Sequence, residues 1–211
     1  MSFKRPVNPG NAGGSQLPTV IFFLLVANGL IFALQQMAPR FLGYNFALWP
    51  LGSEQIPFQF WQLVSYGFLH GDIMHLAFNM FALWMFGSDI ERVLGARNFV
   101  IYYLTCVVGA ALVQLVVAAV QGGVYPTIGA SGGVFGILLA FGMIFPNRMV
   151  MLVIPPIPMK AKYLVILFGV MELYFGVTGR EPGVANFAHL GGMAFGFFLL
   201  QHWRRPRPPR R

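Results

Sequence analysis

Residues 99–120 read FVIYYLTCVVGAALVQLVVAAV, an apolar run without a single charged side chain. About 20 such residues cross the roughly 30 Å hydrocarbon core of a bilayer. Lipid offers the backbone no hydrogen-bond partner, so only helices and closed barrels can span it. The run shows no strand-like alternation and therefore reads as a helix. Two similar runs precede it, at 17–36 and 72–87, and three follow, at 131–145, 159–177 and 184–203. The chain is thus expected to be an all-α membrane protein, a bundle of six transmembrane helices over 17–203. The Gly-, Asn- and Ser-rich 1–16 reads as a disordered leader and 204–211 as a basic tail. Pro146-Asn147 and the IPPIP run at 154–158 close the fourth span and delay the fifth.

Composition supports the bilayer as solvent. Of 211 residues, 57% are hydrophobic and only 9% charged, where a soluble domain carries about 25%. The net charge of +8 sits in short clusters at the ends of apolar runs, so lipid, and not nucleic acid, is the expected partner. Cys106 is the sole cysteine, which leaves no intrachain disulfide or Cys-based metal site.

Lys and Arg excess marks cytoplasmic loops. Lys4, Arg5, Arg92, Arg97, Arg148, Lys160, Lys162, Arg204, Arg205, Arg207, Arg210 and Arg211 fall on one side of the six spans. Arg40 and Arg180 fall on the other. Twelve against two puts both termini in the cytoplasm and the Phe-, Trp- and Pro-rich loop 38–69 outside, lying in the membrane interface.

Polar side chains inside a membrane are expensive and point to function. Here they gather on the outer side. HGDIMHLAFNM at 70–80 brings His70, His75 and Asn79 to the start of the second span, the last two on one helical face. GASGGVFG at 129–136 starts the fourth span with Ser131, and AHLGGMAFG at 188–196 carries His189 in the sixth. The fourth span, about 15 residues or about 22 Å long, leaves Ser131 about 8 Å below the outer surface. His189, five residues into its span, reaches about the same depth. Gly192 and Gly196 form a GxxxG pattern, and Gly132, Gly133 and Gly136 bare one side of the fourth helix, so the two backbones can approach.

These parts match an acyl-transfer site. Ser131 is the expected nucleophile and His189 the general base. The Ser131 N–H, with the side chains of His75 and Asn79, is expected to form the oxyanion hole. No acid lies near His189 in sequence, so a Ser–His dyad is expected, with Phe135 packed on the imidazole to orient it. His70 is assigned a supporting place around the cavity. Glu172, in the fifth span, receives no role. Glu91 and Arg92 are expected to tie the cytoplasmic end of the second span.

The ordered motifs resemble those of the rhomboid family of intramembrane proteases. They are His70-x4-His75-x3-Asn79, Glu91-x3-Gly95, Gly129-x-Ser131-Gly132 and Ala188-His189-x2-Gly192-x3-Gly196. The resemblance implies a six-helix core with a water-filled cavity open to the outside, and hydrolysis of peptide bonds in or beside transmembrane segments without a cofactor. It implies transmembrane protein substrates, a partly embedded first-loop hairpin and a gating fifth span. The family often has Trp-Arg in that loop, whereas here Trp61 precedes Gln62, so the loop's internal ties must differ. By analogy with compact members, a prokaryotic plasma membrane is expected.

Three readings compete. Three histidines can bind zinc, but there is no HExxH and His70 and His75 are five apart, so no metal is expected. A channel or transporter with a His/Asn-lined pore needs a polar path to both faces, and the cytoplasmic halves of these spans are apolar. A catalytically inactive rhomboid-like binder of membrane helices typically lacks the serine or the histidine. Natural substrate and oligomeric state are not legible in the sequence.

Overall fold

Apolar residues on every face leave each long run no solvent-facing side, as suits a helix surrounded by lipid and other helices. The computed structural model describes residues 17–53, 56–123, 125–151, 156–180 and 184–204. The leader 1–16, and the tail apart from Arg204, lie outside the described residues. Helix α1 is Thr19–Met37, α2 is Pro39–Phe46, and a single turn, α3, covers Gln62–Ser65. A 3-10 turn at Tyr66–Phe68 leads into α4, Ile73–Leu94, which contains a π turn at Leu83–Gly87. Then come α5 (Ala96–Gln121), α6 (Ser131–Ile144), α7 (Ala161–Thr178) and α8 (Asn186–Arg204).

Four of these, α1, α4, α5 and α7, are long and apolar enough to cross a membrane. The protein is therefore a helical integral membrane protein. Helix α6 is apolar but has 14 residues, about 21 Å at 1.5 Å per residue. Helix α8 has 19, interrupted by Asn186, His189, Gln201 and His202. The two helices least like ordinary spans are the two that carry Ser131 and His189.

Helix α6 is the centre of the fold. Gly132, Gly133, Val134, Gly136, Ile137, Leu138, Ala140, Phe141 and Gly142 are all buried, mainly between α5 and α8. At Gly192 of α8 an added Cβ would collide with the Gly132 carbonyl oxygen, so the two backbones touch. The Tyr102 hydroxyl of α5 donates to the Gly136 carbonyl at 2.7 Å and also fills the space beside Gly196. Helices α1 and α7 are peripheral, with Phe23, Leu30, Ile166 and Val170 exposed.

The helix ends are tied by side chains. Asp72 caps α4, its Oδ1 accepting the Met74 and His75 amides at 2.8 Å each. Glu91, expected to fasten the end of the second span, is buried and accepts the Val20 and Ile21 amides at 3.0 and 2.9 Å. A carboxylate at those free amides satisfies donors that the start of α1 cannot pair internally.

Two features exceed the sequence reading. Between α6 and α7 runs an antiparallel ribbon, β1 Met149–Met151 with β2 Pro158–Lys160, where a proline-rich delay was expected; part of that proline run, 154–155, lies outside the described residues. The loop between α2 and α4 is held by Gln62, which is fully buried. Its Oε1 accepts the Trp49 and Gln59 amides, both at 3.3 Å, and its Nε2 donates to the Asn45 carbonyl at 3.5 Å. Trp61 Nε1 donates to that same carbonyl at 2.8 Å. Trp61 and Gln62 thus share the Asn45 carbonyl as one anchor of the loop.

Candidate active site

The Ser131 turn is built by its neighbours. An isolated bridge pairs Leu48 with Thr127, and the Gly129 amide donates to the Tyr66 carbonyl at 3.0 Å. The loop between α2 and α4 thus pins the segment leading into α6. Gly129 has φ +126, which L side chains rarely adopt. A Cβ there would also stand 2.8 Å from His75 Cε1 and 2.9 Å from Nε2. Ser131 then opens the helix, whose backbone bonding begins with Val134 N–H donating to Ala130 O. The amides of the first turn are those a helix leaves free for another acceptor.

His189 enters from α8. Its Nε2 lies 2.7 Å from Ser131 Oγ, so the two residues predicted to meet are within reach of one proton. The Phe135 ring stacks on the imidazole, 4.4 Å between centroids and 4° from parallel, and itself abuts Phe168 edge-on. Ser131 is half-buried and His189 buried.

The α4 residues divide. His75 Nε2 and Ser131 Oγ both border the point where a Gly129 Cβ would stand, at 2.9 and 3.6 Å. The Gly71 amide donates to His75 Nδ1 at 3.4 Å, and a neutral imidazole that accepts at Nδ1 carries its proton on Nε2. That proton faces the Ser131 side. Asn79 is buried and spends one amide proton on the His75 carbonyl at 3.0 Å, leaving its other proton for a second partner. His70 is fully buried, edge-on to His75 at 5.0 Å.

Sequence reasoning missed two residues here. Gln35, at the end of α1, donates through Nε2 to the His70 carbonyl at 2.9 Å and accepts the His70 amide at 3.1 Å. Glu172 of α7 places Oε2 2.9 Å from His189 Nδ1 and accepts Asn186 Nδ2 at 2.8 Å on that oxygen. The contact is a close approach of the carboxylate oxygen to the ring nitrogen without an aligned hydrogen bond. Seventeen residues separate Glu172 from His189; the only available signal was an acid inside an apolar run.

Residues 57–204 match the Rhomboid domain family model. Over 146 residues the chain is 33% identical to the mitochondrial Rhomboid protein 1 of Saccharomyces cerevisiae, covering 67% of this chain and 40% of that protein. It is also 33% identical to Rhomboid protease GluP of Bacillus subtilis over 141 residues, 66% of this chain and 25% of the relative. RHOMBOID-like protein 4 of Arabidopsis thaliana matches at 33% over 148 residues, 66% of this chain and 33% of the relative. The chain therefore spans well under half the length of these relatives. They come from yeast mitochondria, a bacterium and a plant, and do not single out a prokaryotic plasma membrane. With the Rhomboid model matched across most of its length, this chain belongs to the rhomboid family.

Proposed function

We propose that this protein is an intramembrane serine endopeptidase that hydrolyses peptide bonds in or beside the transmembrane segments of other membrane proteins. The 2.7 Å separation of Ser131 Oγ and His189 Nε2 carries the reading. Helices α1, α4, α5, α6, α7 and α8 form six crossings in residues 17–203, with Ser131 and His189 sunk beneath the outer surface and the Lys- and Arg-rich loops in the cytoplasm.

In the first step Ser131 Oγ attacks the scissile carbonyl carbon while His189 Nε2 takes the hydroxyl proton. The carbonyl electrons move to oxygen, and that oxyanion accepts hydrogen bonds from the Ser131 amide, His75 Nε2–H and Asn79 Nδ2–H. As the tetrahedral centre collapses, the C–N bond breaks and the imidazolium gives its proton to the leaving amine. Water then attacks the acyl-enzyme, again losing a proton to His189, and Ser131 departs with that proton restored. No step needs a cofactor.

The test uses the purified full chain in liposomes with single-pass helical test substrates. Ser131→Ala and His189→Ala should each abolish cleavage, while His75→Ala or Asn79→Ala should lower it about a hundredfold. Cleavage that survives Ser131→Ala, or solute transport in the absence of any cleavage, overturns the reading.

A further inference from the structure

The protease reading gives no work to Glu172, a buried acid. Glu172 is 8% exposed and is the one acid on a helix whose other charged residue, Lys162, sits in its first turn. Carboxylates within membrane helices are costly and persist where they are paired. Its partners are two: Asn186 Nδ2 at 2.8 Å and His189 Nδ1 at 2.9 Å, both at Oε2. Asn186 opens α8 three residues before His189, so one turn of one helix holds the carboxylate from two directions.

Resting on the protease reading, we propose that Glu172 is a positioning residue for His189, making a Ser131–His189–Glu172 relay from three separate helices. A negative charge beside Nδ1 favours the tautomer with its proton there, leaving Nε2 bare to receive the Ser131 proton. It also stabilises the imidazolium formed during attack. Phe135 fixes the plane of the ring, and Glu172 fixes which edge carries the proton. The groups facing His189 are Ser131 from α6, Glu172 from α7 and His75 from α4. Helix α5 brings Tyr102 and Cys106 against α8 at Gly196 and Tyr102 also against Trp203, two turns or more from His189.

Glu172→Gln should lower kcat for a transmembrane test substrate at least tenfold and leave KM within twofold. Glu172→Asp, which keeps the charge on a shorter arm, should restore part of kcat. A Glu172→Gln protein with wild-type kcat overturns the proposal, even if its thermal stability falls.

A second measurement needs no variant at the glutamate. In wild-type protein labelled with ¹⁵N-histidine, with His189→Asn supplying the assignment, neutral His189 should appear as the Nδ1–H tautomer. Finding Nε2–H overturns the proposal. This readout is independent of turnover: if Ser131 proves inessential, the protease reading fails while the tautomer still reports on Glu172.

Discussion

The imidazole of His189 lies parallel to the Phe135 ring at 4.4 Å, one helical turn after Ser131 on the facing helix. Aromatic contacts of this kind contribute about 0.5–1.5 kcal/mol beyond burial, which is about a three- to tenfold effect when it goes into ring orientation. Phe135→Leu should therefore lower kcat by about that factor and leave the fold intact, whereas Phe135→Tyr should stay near wild type. Initial rates on a transmembrane test substrate, with circular dichroism as the folding control, decide it.

Backbone contact between α6 and α8 leaves no room for a methyl group at Gly192. Gly192→Ala has to push α8 off the Gly132 carbonyl, separating His189 from Ser131. Overpacking of this sort typically destabilises by about 1–3 kcal/mol, and a displacement of about 1 Å at the reacting atoms can lower rate about a hundredfold. Labelling of Ser131 by a fluorophosphonate should fall far more than the thermal midpoint does.

Gln62 is a double acceptor, and that property decides what can replace it. Arginine has only donors, so Gln62→Arg, which recreates the Trp-Arg pair common in the family, leaves the Trp49 and Gln59 amides unpaired. Gln62→Ala does the same. Each buried amide left without a partner costs about 1–3 kcal/mol. Both variants should raise the rate of limited proteolysis within 47–61, and an Arg variant as resistant as wild type would contradict this account.

His70 precedes the α4 span, and its ring is fully buried. Burial, reinforced by the charge of neighbouring His75, pushes its pKa from 6.5 down to about 4. The unfolded chain thus binds a proton near pH 6.5 that the folded chain refuses until about pH 4. Stability should fall as pH drops through that interval and level off below it. Asp72 acts in a lower window: amide hydrogen bonds hold its carboxyl below 3.8, so its contribution is lost only as pH falls beneath that value. Thermal midpoints in detergent between pH 7.5 and 4 should decline in wild type and decline less in His70→Phe.

The parts of the site legible in sequence were those announced by a polar residue in an apolar run. Ser131, His189 and Phe135 lie on elements whose boundaries follow from glycine and hydrophobic patterning, so helical spacing sufficed to place them. Glu91 was legible as a tie but not for its partner, because the Val20 and Ile21 amides that it accepts lie seventy residues away. Glu172 was visible as an anomaly, yet its proximity to His189 depends on how α7 leans on α8, which no periodicity encodes. The ribbon at 149–151 and 158–160 escaped because its strands are three residues each, too short for alternation to register. Gln62 resembled an ordinary loop glutamine; only folding the loop back on itself made it a hub.

One carboxamide at the end of α1 closes two hydrogen bonds to one peptide unit, since Gln35 both donates to and accepts from His70. It behaves as a single rung of sheet supplied by a side chain. The His70 amide can exchange its hydrogen with solvent only when that rung opens, so its exchange rate in deuterated buffer reports whether the C-terminal end of α1 is seated. Gln35→Ala should unmask the amide at once, turning a local label into a gauge of the packing around His70 and His75.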